Sequence, residues 1–242
     1  DIIIQYRYFS AQVDSSNKVI TMNTEHIANL SDTDVVFYVK KILSENPDLK
    51  GILSTHSETS VGILNDIKAL GEFTKDTDIL LVVDTISGLV ANDFDFDGWH
   101  VDVAIAGSQK AFLIPPGLSF VTASDKAKKA MEKSDLPKYY LSIKQYEKYF
   151  DEMTETPYTP AISLIIALNY SLKDLLAKGI ENCIKEKYEL RKFIEEKAKN
   201  LGFELLVKEE ENRNVKDSSL SKLTDDELIN ACLLYTSDAA DE

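Results

Sequence analysis

Ile79-Leu80-Leu81-Val82-Val83 sets five apolar residues in a row and stops at Asp84. A half-exposed strand alternates apolar with polar residues, and a buried helix needs a longer run. This segment therefore reads as a short strand covered on both faces. Lys50 to Thr55, Val101 to Ala106 and Leu118 to Ala123 are further short strands by the same criteria. Helical spacing lies between and around them. Val35 to Ser44 puts Val35, Val36, Val39, Ile42 and Leu43 on one face, and Asn65 to Thr74 does the same with Ile67, Leu70 and Phe73. The alternation predicts an α/β fold, a mixed and mostly parallel sheet with helices on both faces.

Beyond residue 125 the pattern turns helical. Lys126 to Lys133 and Ile143 to Asp151 are charged, amphipathic helices, and Pro157-Tyr158-Thr159-Pro160 is a rigid turn that launches a long apolar helix through Leu176. Gly179 breaks that helix, Ile180 to Asn200 forms another, and Phe203 to Val207 reads as a strand. The expected organisation is an N-terminal segment of uncertain path (1–34), a large domain (35–178), the start of a smaller α+β domain (179–216) and an acidic tail (217–242) of artefactual character. The chain opens inside the β-branched run Ile2 to Ile4, which needs a neighbour to bury it, so a truncation at both ends is expected.

Charge narrows the partners. The 242 residues carry a formal charge of −14, the wrong sign for nucleic acid or an anionic membrane surface. No apolar run approaches the roughly 18 to 20 residues that a membrane span needs. Cys183 and Cys232 are far apart and form no paired motif, which argues against a disulfide framework or a zinc site and for a reducing cytoplasm. No metal set is expected.

In open α/β sheets, ligands gather at the carboxyl ends of strands. Three polar groups fall there: Thr55 to Thr59, Asp84, and Ser108 to Lys110. A strand-end aspartate can hold a positive charge, and a lysine in a crevice can serve as an amine nucleophile. Pyridoxal 5'-phosphate asks for both, a carboxylate for its ring nitrogen and an amine for its aldehyde.

Three blocks carry a resemblance that sharpens this reading: Thr55-His56-Ser57-Glu58-Thr59-Ser60-Val61-Gly62, Val83-Asp84-Thr85-Ile86-Ser87-Gly88-Leu89, and Gly107-Ser108-Gln109-Lys110-Ala111-Phe112-Leu113-Ile114-Pro115-Pro116-Gly117. In order and spacing they resemble the class V aminotransferases, the alanine or serine:glyoxylate branch of the fold-type I pyridoxal-phosphate enzymes. The resemblance is clearest over residues 50–125 and continues more weakly to about 210. It implies Lys110 as the catalytic amine and Asp84 as the partner of the ring nitrogen. It implies Ile86 against the ring face, Thr59 on the ring hydroxyl and Gln109 on the phosphate. Thr156 and Thr159 are implied as phosphate contacts contributed across a homodimer interface. His56 is expected to be structural, and Thr59 and Ser57 have a rival role in capping the helix that follows, as Thr156 and Thr159 have at the later helix.

The implied activity is transamination between a small amino acid, alanine or serine, and a 2-oxo acid, glyoxylate or pyruvate. Other readings stand beside it. 2-Aminoethylphosphonate:pyruvate transamination would use the same visible motifs; cysteine desulfurization fits less well, because Gln109 stands where that branch places histidine. The family's glycine-rich phosphate turn and ring-covering aromatic residue lie upstream of these blocks, and residues 1–34 contain no glycine. Its carboxylate-binding arginine belongs further along, and Arg191 and Arg213 match no motif. An inactive truncated fragment, or a generic acidic binding domain, are therefore the readings from other classes. Asp84, Lys110 and Thr59 are expected on one rim, and exposed apolar faces are expected to drive dimerisation or poor solubility.

Overall fold

The computed structural model of the chain describes residues 2–7, 13–14, 19–23, 32–58, 63–135 and 137–205. It begins with the strands β1 (Ile2–Arg7), β2 (Val13–Asp14) and β3 (Val19–Asn23) and the helix α1 (Asp32–Glu45). β4 (Leu49–Thr55), the short strands β5 (Ser57–Glu58) and β6 (Ile63–Leu64), α2 (Ile67–Thr74) and β7 (Leu80–Asp84) follow. Then come β8 (Val103–Gly107), β9 (Ser119–Ala123) and the helices α3 (Asp125–Glu132), α4 (Ile143–Met153), α5 (Ile162–Lys178) and α6 (Ile180–Asn200).

Seven of the strands form one sheet in the order β2-β3-β1-β4-β7-β8-β9. The pairings from β3 through β1, β4 and β7 to β8 are parallel, while the outer strands β2 and β9 run antiparallel. This is the mixed, mostly parallel sheet that the alternation predicts. The Ile2 to Ile4 run finds its neighbours in β3 and β4, on either side of β1.

The main core packs Val39 and Leu43 of α1 and Ile67 and Leu70 of α2 against Leu49 and Ile52 of β4, Leu81 and Val83 of β7 and Ala104 of β8. Burial of each such large apolar side chain stabilises the fold by about 1.5 to 3 kcal/mol. In β7 the buried Leu81 and Val83 alternate with the half-buried Leu80 and Val82, so its second face is less covered than five apolar residues in a row suggest. β8 comes closer to that expectation, with only Ile105 half-buried.

Two departures from the sequence reading have local causes. Helix α2 starts at Ile67 rather than Asn65 because Asp66 caps it, its Oδ1 accepting from the Ala69 N–H at 2.9 Å. Phe203 to Leu205 form no strand, and Leu206 and Val207 lie outside the described residues. Gly202 turns left-handed (φ +87°) after α6, and the Phe203 N–H returns to Ala198 O at 3.0 Å. Phe203 is thus part of a helix stop with its ring exposed.

A polar knot holds the amino ends of β7 and β8. Asp102 is buried, and its Oδ2 accepts from the Leu81 N–H and from Lys126 Nζ, both at 2.9 Å. Its Oδ1 accepts from Ser124 Oγ at 2.8 Å, and Ser124 Oγ in turn caps α3 by accepting from the Ala127 N–H. Lys126 Nζ also donates to Ile79 O at 2.6 Å. One carboxylate thereby joins β7, β8, the exit of β9 and α3.

His56, just past β4, is 1% exposed and packs its ring against Phe94 (5.2 Å between centroids) and Trp99 (5.9 Å). Burial lowers its pKa from 6.5 to about 4, so the ring is neutral at physiological pH. Its Nδ1 has no hydrogen-bond partner among the described residues. A Cβ at Gly88 would stand 2.2 Å from that nitrogen, so only glycine fits there.

Asp102→Ala should cost about 2 to 4 kcal/mol, because Lys126 and the Leu81 N–H lose their shared acceptor. A urea midpoint that falls with an unchanged slope would show it. For His56, the unfolded chain takes up a proton near pH 6.5 and the folded chain only near pH 4. The stabilising preference for the neutral ring is complete above pH 6.5 and is lost as pH falls towards 4, by about 3 kcal/mol in total. Denaturant titrations of the parent and His56→Gln between these pH values should give a shallower pH slope in the variant.

Candidate active site

β4, β7 and β8 are consecutive and parallel, so their carboxyl ends share one edge of the sheet. The registers set Thr55 beside Asp84 and Asp84 beside Ile105. Adjacent strands lie about 4.8 Å apart. The chain leaves this edge through closely bonded turns. The His56 N–H donates to Asp84 O at 2.7 Å, and Thr85 donates both its N–H and its hydroxyl to Ile105 O, each at 2.8 Å. The Asp84 side chain is held by its own turn, with Oδ1 accepting from the Ile86 N–H at 2.8 Å. Asp84 and Ile86 are both half-buried.

β8 ends at Gly107, and the loop to β9 carries Gln109, which is exposed, and Lys110, which is half-buried. The residues after the lysine are anchored. Ala111 is buried in a small second core with Val90, Leu175 of α5 and Cys183 of α6. Phe112 packs against Phe120 at 4.9 Å between ring centroids, and its carbonyl accepts from Ser171 Oγ of α5. The Leu113 N–H closes a turn on Lys110 O at 3.0 Å. Leu113 itself adopts the left-handed conformation (φ +56°) with its side chain 62% exposed, a strain of about 1 to 2 kcal/mol held within three residues of the lysine.

Asp84, the last residue of β7, and Ile86, Gln109 and Lys110, on the loops that follow β7 and β8, thus stand at one sheet edge. Thr59 lies outside the described residues. Ser57 does not cap a helix, since it is buried and its Oγ accepts from Asn92 Nδ2 at 3.1 Å, while Asp66 performs the capping. Thr156 and Thr159 belong to the link between α4 and α5. Thr156 Oγ1 donates to Tyr158 O at 2.7 Å, and the Tyr158 ring lies among Tyr139, Tyr140 and Tyr146. Neither threonine caps α5, whose N-cap residue is Ala161.

The sequence reading gave Thr85 no role and weighed Ser108 only as one of the strand-end polar groups. The available signals were a threonine directly after a strand-end aspartate, and a serine next to a loop that holds two prolines. Chemically, the edge offers a carboxylate, a branched apolar side chain, an amide and a primary amine. A carboxylate can retain a proton on a ring nitrogen, and an amine can bond to an aldehyde.

Comparison with known proteins follows the same lines. The family model described as Aminotransferase class-V matches residues 36–231. An uncharacterized aminotransferase of Methanocaldococcus jannaschii is 41% identical over 172 residues, which are 71% of this chain and 45% of that protein. A serine–glyoxylate aminotransferase of Arabidopsis thaliana is 40% identical over 142 residues, 58% of this chain and 35% of that protein. The chain therefore spans less than half the length of these curated relatives. In fold it is similar to the crystal structure of an alanine–glyoxylate aminotransferase from Nostoc sp., with a TM-score of 0.75 at 23% identity over 88% of this chain and 58% of that one. The family match takes in all described residues from Val36 onwards, the strand-end loops included, and the chain belongs to the class V aminotransferases.

Proposed function

We propose that the chain holds pyridoxal 5'-phosphate at the carboxyl edge of β4, β7 and β8 and serves amino-group transfer between a small amino acid, alanine or serine, and a 2-oxo acid, glyoxylate or pyruvate. The observation that carries this reading is the placement of Asp84 and the Lys110 loop on the exits of two adjacent parallel strands. The donor set fits the group, with an acid for the ring nitrogen, an apolar side chain for the ring face and an amine for the aldehyde. The names of the relatives, serine–glyoxylate and L-aspartate–glyoxylate aminotransferases among them, support the substrate class.

When bound, the cofactor would supply a ring that draws off the electron pair left on the substrate α-carbon when its proton is removed. The chain's residues do the rest. Asp84 holds the ring nitrogen in its protonated form, and the Ile86 N–H fixes the pose of that carboxylate. Lys110 Nζ would be the amine that holds the aldehyde and, once the substrate's own amine has displaced it there, the base that would move a proton from the substrate α-carbon to the aldehyde carbon of the cofactor. Ile86 would cover the ring face, Gln109 would hold the phosphate, and Thr59, by the resemblance of its block, would hold the ring hydroxyl.

In this reading the site is completed by a second copy, whose Thr156 and Thr159 reach the phosphate. Support for a homodimer comes from the apolar side chains left open on α5 and before α4: Ile162 is 63% exposed, Leu176 70% and Leu141 78%. The division of the chain at Gly179 into a large and a small domain belongs to the same reading, as does a cytoplasmic location. Among the described residues no helix is long and apolar enough to cross a membrane.

The test is a visible spectrum of the chain and of Lys110→Ala with added pyridoxal 5'-phosphate, followed by borohydride reduction and peptide mapping. The expected result is a band near about 410 to 430 nm in the parent alone, with the label on Lys110. Asp84→Ala should weaken cofactor binding about ten-fold or more, as loss of a charge-assisted hydrogen bond does. A label spread over other lysines, or a parent without a band, would overturn the assignment.

A further inference from the structure

The loop that carries Lys110 has an unusual closing problem. It must return from the end of β8 to the start of β9, and residues 115 and 116 are both proline, so neither offers an N–H. A backbone ladder cannot close over that stretch. Ser108, two residues before the lysine, closes it with its side chain. It is 0% exposed, and its Oγ donates to Pro115 O at 2.8 Å while accepting from the Leu118 N–H at 3.2 Å. Its backbone adds two bonds, Ser108 N–H to Leu118 O at 3.0 Å and the Ile114 N–H to Ser108 O at 3.4 Å. A hydroxyl both donates and accepts through one atom, which is the capacity that the site uses.

We infer that Ser108 is a positioning residue for Lys110: its hydroxyl bridges Pro115 and Leu118 and fixes the place from which the lysine amine meets an aldehyde. The inference rests on the cofactor reading for the second half of that statement, whereas the bridge itself is independent of any ligand. Beyond the lysine the loop is anchored to α5 and α6 through Ala111 and the Phe112 carbonyl, whereas the Ser108 side chain ties the entry of the loop to its exit. Without the hydroxyl, Pro115 O and the Leu118 N–H lose their side-chain partner, and the entry and exit of the Lys110 loop are joined by backbone bonds alone.

Hydrogen–deuterium exchange on the full chain tests the bridge, and borohydride trapping of pyridoxal 5'-phosphate on Lys110 tests the positioning. In Ser108→Ala, exchange in residues 111–118 should quicken about ten-fold, as loss of a buried bridging hydroxyl implies. The trapping rate at saturating cofactor should drop by a similar factor, with much less change in the half-saturating concentration. Ser124→Ala removes a comparable hydroxyl at the opposite edge of the sheet and should leave both readings at the loop unchanged. Unchanged exchange in Ser108→Ala, or equal slowing of trapping in Ser124→Ala, would overturn the inference. Absence of trapping on Lys110 in the parent would instead overturn the cofactor reading and with it the positioning of an aldehyde, leaving the bridge to be decided by exchange alone.

Discussion

The tie between Thr85 and Ile105 is the contact on which the site depends. By giving both its N–H and its hydroxyl to one carbonyl, Thr85 locks the exit of β7 to β8 at the point where the two chains diverge. Asp84 stands immediately before that tie and Ile86 immediately after it. The carboxylate is thereby held on its own turn, by the Ile86 N–H, beside a fixed backbone, and the loop bearing Lys110 begins at Ser108, where the neighbouring strand ends. A site made of separate loops becomes rigid because each loop is pinned where it leaves the sheet.

The two edges of the sheet are built differently. At the amino edge, the buried carboxylate of Asp102 gathers β7, β8 and α3 into one bonded unit and leaves little freedom for chemistry. At the carboxyl edge, side chains stay half-buried and reachable, and the backbone absorbs the strain, as at Leu113. This division suits the cofactor site proposed above. Rigid packing at one end fixes the strand registers, and those registers in turn decide which side chains face one another at the other end.

Much of this was legible in the sequence. Five apolar residues closed by an aspartate mark an inner strand and the carboxylate at its end, although one face is less covered than the run suggests, and the block from Gly107 to Gly117 marks the lysine loop. Other features were hidden for physical reasons. Strands β2, β5 and β6 are two residues long, too short for any period to register. The antiparallel direction of β9 follows from the length and closure of the preceding loop, which periodicity does not encode. Phe203 to Leu205 carry apolar residues in a strand-like pattern, yet the Gly202 turn commits them to ending a helix. The bridging role of Ser108 could not be read at all without knowing that Pro115 and Leu118 come back to it.

The central claim is that Asp84 and Lys110 act on one ring. The most direct measurement is the nitrogen-15 resonance of ring-labelled pyridoxal 5'-phosphate bound to the chain, compared between the parent and Asp84→Ala. The account predicts a protonated ring nitrogen in the parent and an unprotonated one in the variant, with the cofactor still trapped on Lys110. A ring nitrogen whose protonation ignores Asp84 would contradict it.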